Sequence, residues 1–164
     1  MPSSCGHAVC DVIRMSYRRI LVPVDGSASS KLGLREALDL AESQRARLQL
    51  VHVVDHQSVV TSGAELGIYA ADLFTSLKQA GRRLLDNAEA VVKRRGLTCS
   101  SVLLETATGG AADRIVRQAR KWGADLIVMG THGRRGIRRL VMGSDAEQVV
   151  RTSPVPVLLV RAKS

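Results

Sequence analysis

The sequence predicts a single-domain, doubly wound α/β fold: a five-stranded parallel sheet with helices on both faces. Three observations support this. Strand-like and helix-like segments alternate from Arg19 onward, the pattern of βαβ units. Aromatic residues make up only 2% of the chain, so the core must be filled by Val, Leu, Ile and Ala, the usual packing between a parallel sheet and its helices. A length of 164 residues with 45% hydrophobic content is enough for one buried core, and one domain is the ordinary outcome at that size.

The elements follow in order. Residues 1–16 show neither helical nor strand periodicity and read as an unstructured extension, or as a start codon set too early, with Met15 the natural beginning; the folded domain is expected over 17–162. Ile20 to Val24 is a β-branched run closed by Asp25-Gly26-Ser27, where turn and N-cap chemistry begins. A helix follows with Leu34, Ala37, Leu38 and Ala41 on one face. Leu48 to Val54 is dense enough in apolar residues to be buried on both sides.

Asp55 to Gly67 reads as a surface loop. In the long helix after it, Leu73, Leu77, Ala80, Leu84, Ala88 and Val91 repeat at spacings of three and four, and Arg94-Arg95-Gly96 ends it. Cys99 to Leu104 is a more polar strand suited to a sheet edge. Gly110 to Trp122 predicts a third helix with Ile115, Val116, Ala119 and Trp122 inward and Gly123 as its stop. Leu126 to Met129 is a short buried strand. A last helix is expected from near Ser144, with Ser144 and Glu147 spaced as a capping box. Val155 to Val160 is the last strand, and Pro156, lacking a ladder donor, places it at an edge or interface. With right-handed crossovers this is a Rossmann-like sheet whose ligand crevice lies at the carboxyl ends of the strands.

The formal charge of +9 raises the question of nucleic acid. The Lys and Arg residues are scattered in short groups and base-stacking aromatics are nearly absent, so no specific nucleic-acid binding is expected. Three cysteines, Cys5, Cys10 and Cys99, show neither pairing nor metal-ligand spacing, which fits reduced thiols in the cytoplasm. No apolar run reaches membrane-spanning length, and no export signal is evident.

The chemistry concentrates in Gly130-Thr-His-Gly133-Arg-Arg-Gly136-Ile-Arg-Arg-Leu-Val-Met-Gly143-Ser144, between a buried strand and a helix. Its spacing, G-x2-G-x9-G-S, is neither a Walker A loop nor a GxGxxG fingerprint. Glycines let backbone N–H groups approach an anion, and a helix start adds free donors and the positive dipole end, so phosphate is the natural ligand. His132 is the better placed of the chain's histidines to meet a ligand, whereas His52 reads as a satisfied interior residue. Arg134, Arg135, Arg138 and Arg139 are read as mostly solvated, with one or two in reach of phosphate. No nucleophile-base pair or carboxylate dyad stands out, so dedicated catalysis is not indicated.

This segment resembles the ATP-binding members of the universal stress protein family, which carry G-x2-G-x9-G-[ST] at the same place. The resemblance extends to Ile-Leu-Val-Pro-Val-Asp-Gly-Ser at 20–27, Leu-Val-His-Val-Val at 50–54, Asp-Leu-Ile-Val-Met-Gly-Thr-His-Gly at 125–133 and Ser-Pro-Val-Pro-Val-Leu-Leu-Val at 153–160. It implies a fold like that of the adenine nucleotide alpha hydrolases and a nucleotide-responsive stress module. Pro23, Val24 and Asp25 would line the adenosine pocket, Asp25 taking a ribose hydrogen bond, and Val53 would offer backbone groups to adenine. Met129 and Gly130 would lie under the nucleotide, and Gly133, Gly143, Ser144 and the amide of Asp145 would hold the triphosphate with Mg2+ bridging its oxygens. It also implies a homodimer through Val155 to Val160. Asp145 departs from the small or apolar residue of many relatives and would repel phosphate unless it turns away or meets the metal. Two other readings remain: a slow ATP hydrolase or adenylyl-transferring enzyme on the same fold, and a basic interaction protein that uses no nucleotide.

Overall fold

The computed structural model describes residues 16–55, 70–106, 110–133 and 142–161. Residues 1–15 of the predicted 1–16 extension, most of the Asp55–Gly67 loop and Arg134 to Arg139 lie outside the described residues. Five strands, β1 (Arg19–Pro23), β2 (Arg47–Asp55), β3 (Cys99–Thr106), β4 (Leu126–Gly130) and β5 (Val157–Val160), alternate with four helices, α1 (Ala28–Gln44), α2 (Ala70–Arg94), α3 (Ala111–Trp122) and α4 (Ser144–Thr152). All strand pairs are parallel, in the order β3-β2-β1-β4-β5. The class is the predicted one, and β3 and β5 are the edges.

Alternation along the central strands sorts the core into two layers. Ile20, Val22, Leu48, Leu50, Leu126 and Val128 meet Leu34, Ala37, Leu38 and Ala41 of α1 and Leu85, Ala88 and Val92 of α2. Leu21, Val51, Ile127 and Met129 face the other way, against Ala112, Ile115, Val116 and Ala119 of α3 and Ala146 and Val149 of α4. Because both faces of β1, β2 and β4 are covered, these strands are largely buried along their length, with β2 also burying Gln49 and His52.

Helix ends follow local chemistry. Ser27 caps α1 by accepting from the Ser30 N–H. Gly123, at φ +69°, closes α3 through bonds to Ala119 and Arg120 carbonyls, and Gly96, at φ +70°, follows α2, each a left-handed turn that glycine adopts cheaply.

The structure corrects three details. The buried stripe of α2 runs through Gly81, Leu85, Ala88 and Val92, while Ala80 is exposed and Leu84 and Val91 are half-buried. The rotation follows from Gly81, where an added Cβ would lie 2.7 Å from the His52 ring and 2.8 Å from Leu103: the glycine is the contact point. Pro156 precedes β5, its carbonyl accepting from the Ile127 N–H at 3.0 Å, so it costs the ladder nothing. The Ser144–Glu147 capping box is not formed: Gly143 is the N-cap residue, with no side-chain cap bond. Among the described residues no helix is long and apolar enough to cross a membrane.

Candidate functional site

The strand order reverses between β1 and β4. From there α1 packs on one face and α4 on the other, opening a crevice at the carboxyl ends of these two strands.

On the β1 side, Val24 continues the strand direction by donating to the Val51 carbonyl at 2.8 Å. Its own carbonyl accepts the His52 Nδ1 proton at 2.7 Å, so His52 is the satisfied interior histidine its place in β2 predicts. Asp25 then makes a tight Asx turn: Oδ1 accepts the Ser27 N–H at 2.9 Å, and its own N–H donates to Ser30 Oγ at 3.1 Å. Gly26 turns the chain at φ +83°, where a side chain would be strained and would meet Leu84 at 2.9 Å. With Oδ1 committed to the turn, Oδ2 is directed at the glycine segment: an added Cβ at Gly133 would stand 3.0 Å from it.

On the β4 side, Thr131 donates to the Val160 carbonyl at 3.0 Å and Gly143 donates to the Thr131 carbonyl at 2.9 Å, which pins the two ends of the glycine segment together. The Ser29 hydroxyl donates to the His132 carbonyl, with Ser27 Oγ 3.4 Å from the same oxygen. The His132 ring lies 2.9 Å from Thr131 Oγ1. A Cβ at Gly130 would fall 2.6 Å from the Ser29 carbonyl carbon and 2.8 Å from the Ser30 nitrogen, so only glycine lets β4 end this close to the start of α1.

The N-cap glycines of α3 and α4, Gly110 and Gly143, make no side-chain cap bond, so the first amides of both helices are left to solvent or to an anion. The two starts are adjacent, since a Cβ at Gly110 would lie 4.0 Å from Asp145 Oδ1. Ser144 and Asp145 are exposed in the first turn of α4.

The predicted site residues are thus gathered at one end of the sheet. Asp25, Gly130, His132, Gly133 and Gly143 are joined through the contacts above. Pro23 and Val24 lead into the turn, Met129 lies buried beneath it, and Ser144 and Asp145 follow Gly143. Val53 stands half-buried one strand over, near the carboxyl end of β2. Sequence reasoning missed Ser29 and Ser30, whose hydroxyls tie α1 to both lips, and Gly33, where an added Cβ would lie 3.2 Å from the Gly130 nitrogen. The cluster Ser27-Ala28-Ser29-Ser30 was a visible signal; the Gly33–Gly130 contact spans the fold and left none.

The model of the universal stress protein family matches residues 16–161. Universal stress protein YxiE of Bacillus subtilis is 31% identical over 151 residues, covering 88% of this chain and 99% of that protein. A solved structure from the universal stress protein family of Burkholderia pseudomallei is similar at a TM-score of 0.72 and 36% identity, covering 90% of this chain and 98% of that one. The universal stress protein from Archaeoglobus fulgidus in complex with dAMP shares the fold at a TM-score of 0.62 and 24% identity, covering 89% of this chain and 99% of that one. The match spans every strand and helix described above, and the glycine spacing falls between β4 and α4; the chain belongs to the universal stress protein family.

Proposed function

We propose that this protein binds ATP in the β1/β4 crevice and acts as a nucleotide-responsive regulatory module of the cytoplasm. The observation that carries this reading is the glycine cradle at the mouth of β4. Gly130, Gly133 and Gly143 each stand where a Cβ would reach 2.6 to 3.3 Å from a neighbouring atom, and the start of α4 beside them lacks a side-chain cap. A triphosphate suits such a cradle, because backbone amides and the helix dipole favour an anion that no side chain obstructs. The dAMP complex of the Archaeoglobus protein supports an adenine nucleotide as the class of ligand.

In this reading Asp25 Oδ2 takes a ribose hydroxyl while Oδ1 holds the turn. Pro23 and Val24 flank the adenosine, Val53 offers backbone groups to its base, and Met129 and Gly130 form the floor. Gly133, Gly143, Ser144 and the Asp145 amide receive the phosphates, with His132 at the rim. Asp25 and Asp145 are two carboxylates at the crevice, and among the described residues no group of three or more His, Cys, Asp or Glu gathers to hold a metal. Mg2+ would therefore be held chiefly by phosphate oxygens, where it offsets the Asp145 charge. Binding, rather than turnover, is the proposed activity. β5, at the sheet edge with Leu158 exposed, is the proposed homodimer contact.

Isothermal titration of nucleotide-stripped protein with Mg-ATP tests the reading, alongside Gly143→Leu, which fills the cradle. Saturable binding in the wild type, lost in the variant with its far-UV circular dichroism unchanged, is the expected result. Absence of heat at millimolar ATP would refute it.

A further inference from the structure

At the opposite end of the sheet, roughly 16 Å away by the rise of β1, the side chains of Arg18, Arg19, Arg45 and Arg47 line a surface concavity of about 300 Å3. Local structure fixes the backbone that carries them. Asp125 Oδ2 and Oδ1 accept the Arg18 and Arg19 backbone N–H groups at 2.7 and 3.0 Å, and Arg47 N–H donates to the Arg18 carbonyl at 2.8 Å. Arg45 is the C-cap of α1 at φ 56°, a left-handed position that glycine would occupy at less cost.

Among the described residues none of these four guanidinium groups forms an ion pair, whereas Arg95 closes on Asp39 and Glu42. The α1 and α3 C-termini each bring about half a negative charge, and Asp125 brings one more. Against these, the four guanidinium groups leave the lining of the concavity net positive. Arginine forks match the oxygens of phosphate. The concavity is at the small end of the range for ligand sites, too small for a groove that follows a polymer. The Trp122 ring, which could otherwise stack a base, already carries the Arg19 guanidinium 4.9 Å from its centroid.

We propose that this arginine cluster is a second anion site, distinct from the β1/β4 crevice, that takes a small, multiply charged phosphate ion. The site carries its own reporter. Trp122 is the single tryptophan of the chain, and an anion drawing Arg19 toward the concavity alters the cation over its ring, and with it the indole emission.

The test is a fluorescence titration of the full chain with sodium tripolyphosphate at low, constant ionic strength, on wild type, on Gly143→Leu and on the double variant Arg45→Gly, Arg47→Ser. Glycine relieves the left-handed backbone at 45, so the double variant keeps the fold while the Arg19–Trp122 pair stays intact. Saturable change in Trp122 emission is expected in the wild type, unchanged in Gly143→Leu and weakened at least tenfold in the double variant. No change up to several millimolar tripolyphosphate, or equal affinity in the double variant, overturns the site. Equal or tighter binding of hexaglutamate would overturn its assignment to phosphate.

Discussion

Asp25 and Asp145 show how neighbouring contacts divide the work of two carboxylates. Asp25 is committed through one oxygen to the turn that starts α1, which leaves the other for a ligand. Asp145 lies in the first turn of α4, in reach of the start of α3, where it stabilises the helix dipole by about 0.3–1 kcal/mol and opposes phosphate by electrostatics of the same order. Asp145→Asn should therefore tighten ATP about two- to fivefold in titration calorimetry and lower stability by a few tenths of a kcal/mol in urea unfolding. Unchanged affinity would mean that the carboxylate faces away from the phosphates. At Gly130 the constraint is steric. Gly130→Ala should destabilise by about 1–3 kcal/mol, read from the urea midpoint, because the new Cβ overlaps the α1 backbone. The glycine spacing and the Asp25 turn were legible in the sequence because local chemistry announces them. The serine cluster around Ser29 was visible but its role, like that of Gly33, was not, because both depend on contacts with His132 and Gly130, about a hundred residues away in the chain.

The elements were legible wherever hydrophobic periodicity and end signals agreed, as in α1 and α3. They drifted where packing overrode them. Periodicity put Ala80 on the inner face of α2, but the helix turns so that Gly81 meets His52 and Leu103, a choice made by the sheet surface. The Ser144–Glu147 spacing mimicked a cap, but the N-cap position falls to Gly143, which has no side chain to bond the first amides. Pattern reading also passed over a polar chain that ties three elements together: the Gln118 Nε2 amide donates to Gln49 Oε1 at 2.7 Å, and Gln49 Nε2 donates to Ser100 Oγ at 3.1 Å. Gln118 and Gln49 are both buried. Gln118→Ala strands the Gln49 carbonyl between α3 and β2 and should cost about 1–3 kcal/mol in denaturant unfolding. A loss below a few tenths would show that water takes the place of the amide.

For the whole molecule, the topology places glycines and two helix starts without a side-chain cap at the carboxyl end of the sheet, and at the amino end four arginines that form no ion pair among the described residues. Stability draws partly on acidic side chains held ionised. Glu89 is kept below the ordinary carboxylate value of 4.5 first by the Ser101 hydroxyl and then by Lys93, and Glu42 is likewise lowered by Arg95. Lowered folded values mean that these groups stabilise the protein above the unfolded value and lose that contribution as pH falls through the folded one. The urea midpoint should accordingly fall between pH 6 and pH 3, with a smaller drop in Glu89→Gln; an equal drop would assign the effect to other carboxylates. Amide chemical-shift mapping with Mg-ATP tests most directly where nucleotide binds. Binding in the β1/β4 crevice shifts residues 25–30, 130–133 and 143–145 with little change at 45–48. Shifts confined to the arginine end, or none at saturating ATP, would contradict it.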